Sequence, residues 1–344
     1  MNAASRRFAT LLIILSFAAC SPGEQANERN LVAVNYENFP HVETDMQIGR
    51  MIAMSGGTNQ WMHLKEPTPI DKQNVIRMNR DTLYSFALVD VSEGATITLP
   101  DAGDRYMSLM VINNDGYVNQ VLHGSGKHAL TLSDSGTPFV VVLVRTLVDS
   151  DDPQDVAAVN ALQEDMVIDS GQSTPFIMPN YNKMEYQAAH DSLIELARQV
   201  PDSHGMFGKK EDVDPIRFLI GSAMGWGGLP GQEAEYKNVE PNLPVGDYEI
   251  TVRDVPVDGF WSISLYNKEG YFEKNDLDAY SVNNITGTQN PDGSFTVHFG
   301  GCEDERINCL PISEGWNYVV RLYRPQEAIR DGTWTFPDVQ AVKQ

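Results

Sequence analysis

The chain predicts a mainly β, α+β protein: two antiparallel β-sandwich or jelly-roll-like domains with helical connectors. Three observations carry that expectation. Between residues 83 and 147, apolar runs of strand length recur between turns rich in Gly and Asp; between 155 and 224, apolar residues fall three and four apart; beyond 246 the strand pattern returns. Beyond an N-terminal leader and a short tether roughly 310 residues remain, enough for two ordinary domains.

Residues 1–19 read as that leader. Arg6 and Arg7 precede an apolar run, Phe8 to Phe17, which ends in Ala18 and Ala19 before Cys20. The run is too short for a spanning helix, which needs roughly 20 apolar residues. Phe17-Ala18-Ala19-Cys20 resembles the lipobox of bacterial lipoproteins, and the resemblance implies acylation of Cys20. The alternative is an ordinary secretory leader followed by an incidental cysteine. Several acyl chains hold a protein on a membrane stably where one does so only reversibly, so the expected location is the cell envelope. Ser21 stands where an Asp would resemble an inner-membrane retention signal, which points to the outer membrane, facing the periplasm. Residues 20–30, polar and carrying Pro22 and Gly23, read as a flexible tether.

Residues 31–150 form the expected N-terminal β domain. Its strands are Leu83 to Val91, Ala95 to Leu99, Arg105 to Asn113, Tyr117 to Leu122 and Pro138 to Leu147. Phe139 to Val144 is apolar on both faces and is expected at the sheet centre. Residues 151–230 read as a helical connector, with helices over Asp155 to Ile168, Asn182 to Val200 and Val213 to Met224; Asp152-Pro153 and Pro215 mark starts. Residues 231–344 are the expected C-terminal β domain. Trp261, Ile263 and Leu265 alternate there with Ser262, Ser264 and Tyr266, predicting one buried and one polar face. Asn290-Pro291-Asp292-Gly293 is a turn, because Pro presets its φ and Gly accepts a positive one.

The formal charge is −22, and loss of Arg6 and Arg7 with the leader takes it to −24. Such a surface repels phosphates and anionic headgroups, which excludes nucleic acid as a partner. After Cys20 only Cys302 and Cys309 remain. A disulfide is the default reading in an oxidising compartment, contributing about 2–3 kcal/mol on the entropic model. The alternative, a metal pair, lacks further ligands at suitable spacing, so no metal or cofactor is expected.

Familiar catalytic signatures are missing. Ser125 in His123-Gly124-Ser125-Gly126 has a glycine out of place for a nucleophile elbow, and no phosphate loop, zinc-protease helix or calcium loop occurs. What remains is Asn79-Arg80-Asp81-Thr82-Leu83-Tyr84-Ser85, where an amide, a guanidinium, a carboxylate and a phenol precede a strand. Buried charges need partners, so Arg80 and Asp81 form either a binding wall or a turn whose charges satisfy one another. Asp115, in Asn114-Asp115-Gly116, is expected at a rim, while His63 and His298 are the candidate proton carriers. Asn79, Arg80, Asp81, Tyr84, Asp115 and His63 are therefore the candidate ligand-binding residues.

The same Asn79 to Ser85 run, followed by Ile97-Thr98-Leu99-Pro100 and Asp104-Arg105-Tyr106, resembles the domain of unknown function family 1254. Asp258 to Tyr266, Pro291-Asp292-Gly293-Ser294, Cys309-Leu310-Pro311 and Arg321-Leu322-Tyr323-Arg324-Pro325 resemble its usual partner, family 1214. The resemblance implies a pair of β-rich domains with helices between them and assigns no catalytic residue. Relatives often carry Asn-Trp-Leu-Pro where this chain has Asn308-Cys309-Leu310-Pro311, so a crosslink to Cys302 takes the place of aromatic packing. Two functions are consistent with these features. One is an envelope module that binds a small molecule, glycan or protein where the domains meet. The other is a hydrolase with Asp81, Asp115 or His63 as general base.

Overall fold

The computed structural model describes residues 31–73, 76–200, 202–304 and 306–342. The leader, Cys20 and the tether lie outside the described residues. The N-terminal part opens with the helix Phe39–Ser55 and continues through β1 (Met62–His63), β2 (Thr82–Asp90), β3 (Ala95–Leu99), β4 (Met107–Asn113), β5 (Val118–His123), β6 (Gly126–Leu130), β7 (Phe139–Leu147) and β8 (Val167–Ser170). These strands build an antiparallel five-stranded sheet, β1-β2-β7-β4-β5, and a three-stranded sheet, β6-β3-β8.

Strand β7 is central, as its two-sided apolar pattern predicts. Val140, Val142 and Val144 pack with Ile97, Leu99 and Leu109 beneath the small sheet. Val141 and Leu143 face the other way, toward Ile48 and Met51 of the first helix and toward Phe260 and Tyr323 of the C-terminal part. The turn before β5 needs its glycine: Gly116 sits at φ 89° and donates to Asn113 O at 2.9 Å.

Between the sheets lie helices Pro153–Glu164, Lys183–Ala197 and Pro215–Gly225, with β8 among them. Asp152 caps the first by accepting from Gln154 N at 2.8 Å, with Pro153 in its first turn. The other two pack on Phe39–Ser55 around Phe39, Val42, Leu193 and Ile220. That first helix is unannounced by the sequence because two acidic residues on it, Glu43 and Asp45, are buried rather than solvent-facing.

The C-terminal part contributes β9 (Ala234–Val239), β10 (Tyr248–Val252), β11 (Trp261–Tyr266), β12 (Ser281–Asn283), β13 (Phe295–Phe299), β14 (Cys309–Leu310), β15 (Asn317–Tyr323) and β16 (Gln340–Ala341). Two four-stranded sheets, β14-β13-β10-β16 and β12-β11-β15-β9, enclose one core containing Trp261, Ile263, Val297, Phe299 and Val320. Cys302 and Cys309 are joined in a disulfide that ties β14 to the turn after β13. The fold is thus mixed α+β, with mostly antiparallel strands in several open sheets. The parallel pairing of β13 with β14 is an exception.

The polar face of β11 is not turned to water: Ser262 and Ser264 are fully buried, and Tyr266 is 1% exposed. The N-terminal part covers this face, as Ile70 and Met78 pack on Tyr266, Phe272 and Val319. A sheet face that reads as solvated is instead a polar layer between two units.

Candidate functional site

Strict alternation builds that layer from both sides. On β2 and β7 the residues facing the C-terminal part include Tyr84, Phe86, Leu143 and Arg145, while on β15 Val319, Arg321 and Tyr323 face back. Two guanidiniums are therefore enclosed where the units meet, at 6% exposure for Arg145 and 4% for Arg321.

Their surroundings differ. Arg321 is well supplied with acceptors: Nη1 donates to Ser264 Oγ at 2.7 Å, and Nη2 reaches Tyr266 Oη at 2.7 Å, Arg77 O at 2.9 Å and Met78 O at 3.2 Å. Burial opposes its charge, but the phenols of Tyr266 and Tyr323 and the Asp81 carboxylate hold its pKa above the ordinary value. Arg145 donates to Gly227 O at 2.7 Å and reaches Met110 Sδ at 3.9 Å, with its guanidinium 5.5 Å from the centroid of the Tyr84 ring. Among the described residues no carboxylate lies within the 4.0 Å of an ion pair to it. Burial disfavours its charge, and the four tyrosines Tyr84, Tyr236, Tyr106 and Tyr323 outweigh that effect.

The phenols respond in turn. Burial pushes Tyr106 up to about 12 and raises Tyr236 and Tyr323, so these hydroxyls keep their protons. Burial would raise Tyr84 too, yet Arg145 and the polar contacts from Thr82 and Asn79 bring it below its ordinary value. Asn79 Nδ2 reaches Tyr323 Oη at 3.0 Å, Thr82 Oγ1 at 3.2 Å and Tyr84 Oη at 3.3 Å.

Outside this layer the junction opens into a cleft of about 310 Å³, walled by Asp104, Tyr106, His123 and Ser125 from one unit and by Asp258, Phe260 and Arg324 from the other. An aromatic partition separates cleft from layer: Phe260 stacks on Tyr323 at 4.2 Å, and Tyr106 packs on both at 5.2 and 5.4 Å. On the cleft wall His123 Nε2 lies 2.8 Å from Glu233 Oε2, and Nδ1 lies 3.3 Å from Met107 O. The imidazole thus bridges the end of β5 to the segment that enters β9. Arg324, held at φ 52°, donates its backbone N–H to Glu233 O at 2.8 Å.

Four of the sequence-predicted residues come to the junction. Asn79 meets Tyr323, as above. Arg80 donates to Thr68 O and lies 5.1 Å over the Tyr280 ring, while burial, partly offset by Asp151, lowers its pKa. Asp81, 1% exposed, accepts from Ser262 Oγ at 2.7 Å, and Tyr84 lies over Arg145. His63 and Asp115 are elsewhere. His63 Nδ1 lies 2.8 Å from the buried Ser85 hydroxyl beside Trp61, and burial lowers its pKa. Asp115 lines a separate polar hollow of about 420 Å³ and lies 2.9 Å from His41 Nδ1. His298, 3.9 Å from Glu249, is also remote, its pKa lowered by burial.

Arg145, Arg321, Tyr106 and the His123–Glu233 pair are not among the residues that the sequence marks as site candidates, although Tyr106 and Arg321 fall within the motifs shared with the two families. A signal for the arginines existed: each is a single charge inside an otherwise apolar strand, in register with inward-facing neighbours. Nothing local marks His123, whose partner is 110 residues away. Among the described residues no three His, Cys, Asp or Glu side chains are grouped as metal ligands, and no helix is long and apolar enough to cross a membrane.

Residues 58–131 match the family described as a protein of unknown function, DUF1254, and residues 239–327 match that described as a protein of unknown function, DUF1214. The first match lies in the N-terminal part and the second in the C-terminal part, and each contributes residues to the cleft, Tyr106 and His123 from one and Phe260 and Arg324 from the other. Among solved structures the fold is similar to that of the VPA0106 protein of Vibrio parahaemolyticus, with a TM-score of 0.68 and 18% identity over 90% of this chain and 98% of that one. An uncharacterized protein of Burkholderia cenocepacia aligns with a TM-score of 0.47 and 13% identity over 95% of this chain and 91% of that one. No curated protein matches the sequence.

Proposed function

We propose that this protein is a binding module of the bacterial envelope, held at the outer membrane by acyl chains on Cys20, that takes a small molecule into the cleft between its two domains. The observation that carries the reading is the cleft itself: about 310 Å³, walled by both units, and within the range of about 300–1,000 Å³ common to small-molecule sites. Its wall mixes Phe260 and Ile285 with Arg324, Asp104 and Asp258, an apolar surface with a few polar groups that fix orientation. The leader and the Cys20 context support the location. The two pairs of sheets, each around its own core, support reading both domains as sandwiches. A glycan or an envelope protein segment is the wider class of occupant.

The test is native mass spectrometry on the protein purified from envelope extracts, beside Ser125→Trp, which fills the exposed mouth of the cleft. A small-molecule adduct on the wild type that is lost in Ser125→Trp is expected. A wild type without adduct, or an adduct unchanged in the variant, sinks the reading.

A hydrolase with a carboxylate or histidine base is the second reading, and the 2.8 Å His123–Glu233 contact on the same wall favours it. Under that reading His123→Gln abolishes turnover on an ester and amide panel while leaving adduct retention intact. Under the first, the panel shows no turnover in either protein.

A further inference from the structure

We propose that the junction also contains an inner anion site, in which the Arg145 guanidinium receives the carboxylate of a small aromatic monocarboxylic acid. The contrast between the two enclosed arginines carries this. Both are buried to a similar degree, and a guanidinium presents five N–H donors. Arg321 directs its donors to four acceptors within 3.2 Å. Among the described residues Arg145 has Gly227 O at 2.7 Å and a thioether sulfur at 3.9 Å as acceptors, and the groups that act on its charge are the phenols of Tyr84, Tyr236, Tyr106 and Tyr323. A buried charge left without a counter-charge is costly, and a fold that keeps one has a use for its open fork.

The walls around that fork set the ligand class. Tyr84 and Phe86 stack in parallel, 6.0 Å and 6° apart, and together with Trp226 and Tyr236 they stay partly exposed even though they pack against the core between the units. Trp226 is fixed by a 3.0 Å bond from Nε1 to Thr44 Oγ1 and directly precedes Gly227. Flat apolar surfaces next to one open guanidinium suit a planar body with a carboxylate at one end. The protein's charge of −22 repels anions at long range, which selects a single negative charge over a polyanion. Tyr236 keeps its phenolic proton and supplies a second donor.

The experiment is isothermal titration calorimetry with benzoate, phenylacetate and indole-3-acetate, each paired with its amide, and with inorganic phosphate as control. At least one acid is expected to bind saturably, with its amide about tenfold weaker or worse. Arg145→Met weakens that acid about 10- to 100-fold, the equivalent of one charge-assisted hydrogen-bond pair. Because Arg145→Met removes a buried charge and has the potential to disturb folding, Tyr236→Phe is measured beside it. Loss of one hydroxyl there weakens the acid severalfold with an unchanged unfolding midpoint. Ser125→Trp, which blocks only the outer cleft, leaves acid affinity unchanged. The inner site is overturned by no binding of any acid, by equal affinity for acid and amide, by tighter binding of phosphate, or by loss of binding in Ser125→Trp. A tyrosinate absorption band at neutral pH also overturns it, because a Tyr84 phenolate then already neutralises Arg145.

Discussion

Asn79 donates to Tyr323 Oη at 3.0 Å across 244 residues of chain, a direct polar contact between the N-terminal strand entry and strand β15 of the C-terminal part. The same amide nitrogen reaches Thr82 and Tyr84, and its oxygen accepts from Asp81 N at 2.9 Å. One side chain therefore shapes the entry to β2 and pins the two units together. Asn79→Ala is expected to cost about 1–3 kcal/mol, because it leaves buried partners unsatisfied. Tyr323→Phe, which deletes only the hydroxyl, costs about 0.5–1.5 kcal/mol. Urea unfolding of both singles and the double gives the coupling; additive effects would show that the contact contributes nothing of its own.

Much of this was legible from sequence where the chemistry is local. The strand runs Ala95 to Leu99 and Pro138 to Leu147, the helix starts at Asp152-Pro153 and Pro215, and the turn at Gly293 all rest on neighbouring residues, and they fold to within a residue or two of what the pattern implies. Asn79, Arg80, Asp81 and Tyr84 stood out for the same reason. What the pattern conceals is which polar faces are covered by something distant. The serines of β11 read as solvated because alternation cannot tell water from a second domain, and the same blindness hid the acidic helix Phe39–Ser55. Glu43 and Asp45 are buried because Tyr186 Oη and Tyr181 Oη each donate to them at 2.6 Å, from 143 and 136 residues away.

Asp81 presents a further test of the polar layer. Its Oδ2 accepts from Ser262 Oγ at 2.7 Å, while among the described residues Oδ1 has no hydrogen-bond partner. Ser262→Ala removes that one side-chain donor from a carboxylate that is 1% exposed, and a loss of about 1.5–3 kcal/mol in chemical denaturation is expected. Asp81→Asn keeps an acceptor for Ser262 but withdraws a negative charge that supports the guanidinium of Arg321. It is expected to fold with lower stability than the wild type. A Ser262→Ala protein as stable as the wild type would mean that the layer is not held by this bond.

The disulfide closes a short loop, Cys302 to Cys309, with a sequence separation of 7. On the entropic model such a loop contributes about 2–3 kcal/mol by restricting the unfolded chain. Reduction, or replacement of both cysteines by Ala, is expected to lower the unfolding midpoint by several degrees while β14 stays paired to β13, since Leu310 remains fully buried in the C-terminal core. Equal midpoints with and without reductant would show that packing alone fixes this turn.

The hydrogen bond to Asp115 raises the pKa of His41, with burial opposing and Asp45 assisting, and His41 in turn lowers that of Asp115. A raised histidine contributes stability that is complete below its unfolded value of 6.5 and is lost as pH rises through the folded value; a lowered carboxylate contributes above 3.8 and loses it as pH falls. The pair therefore stabilises between about pH 4 and 6.5 and fades above that. Both side chains are more than a third exposed, at 42% and 54%, so screening holds the gain below about 1 kcal/mol. His63 has the opposite sign: burial lowers its pKa, and its contribution is present above 6.5 and lost on acidification. The wild type is thus expected to exceed His41→Gln in stability most near pH 5 and to converge with it by about pH 8, whereas the gap to a destabilised His63→Gln narrows on going down in pH. Denaturation midpoints measured across this range decide the matter, and a His41→Gln difference that is constant or grows with pH removes the ion pair as its cause.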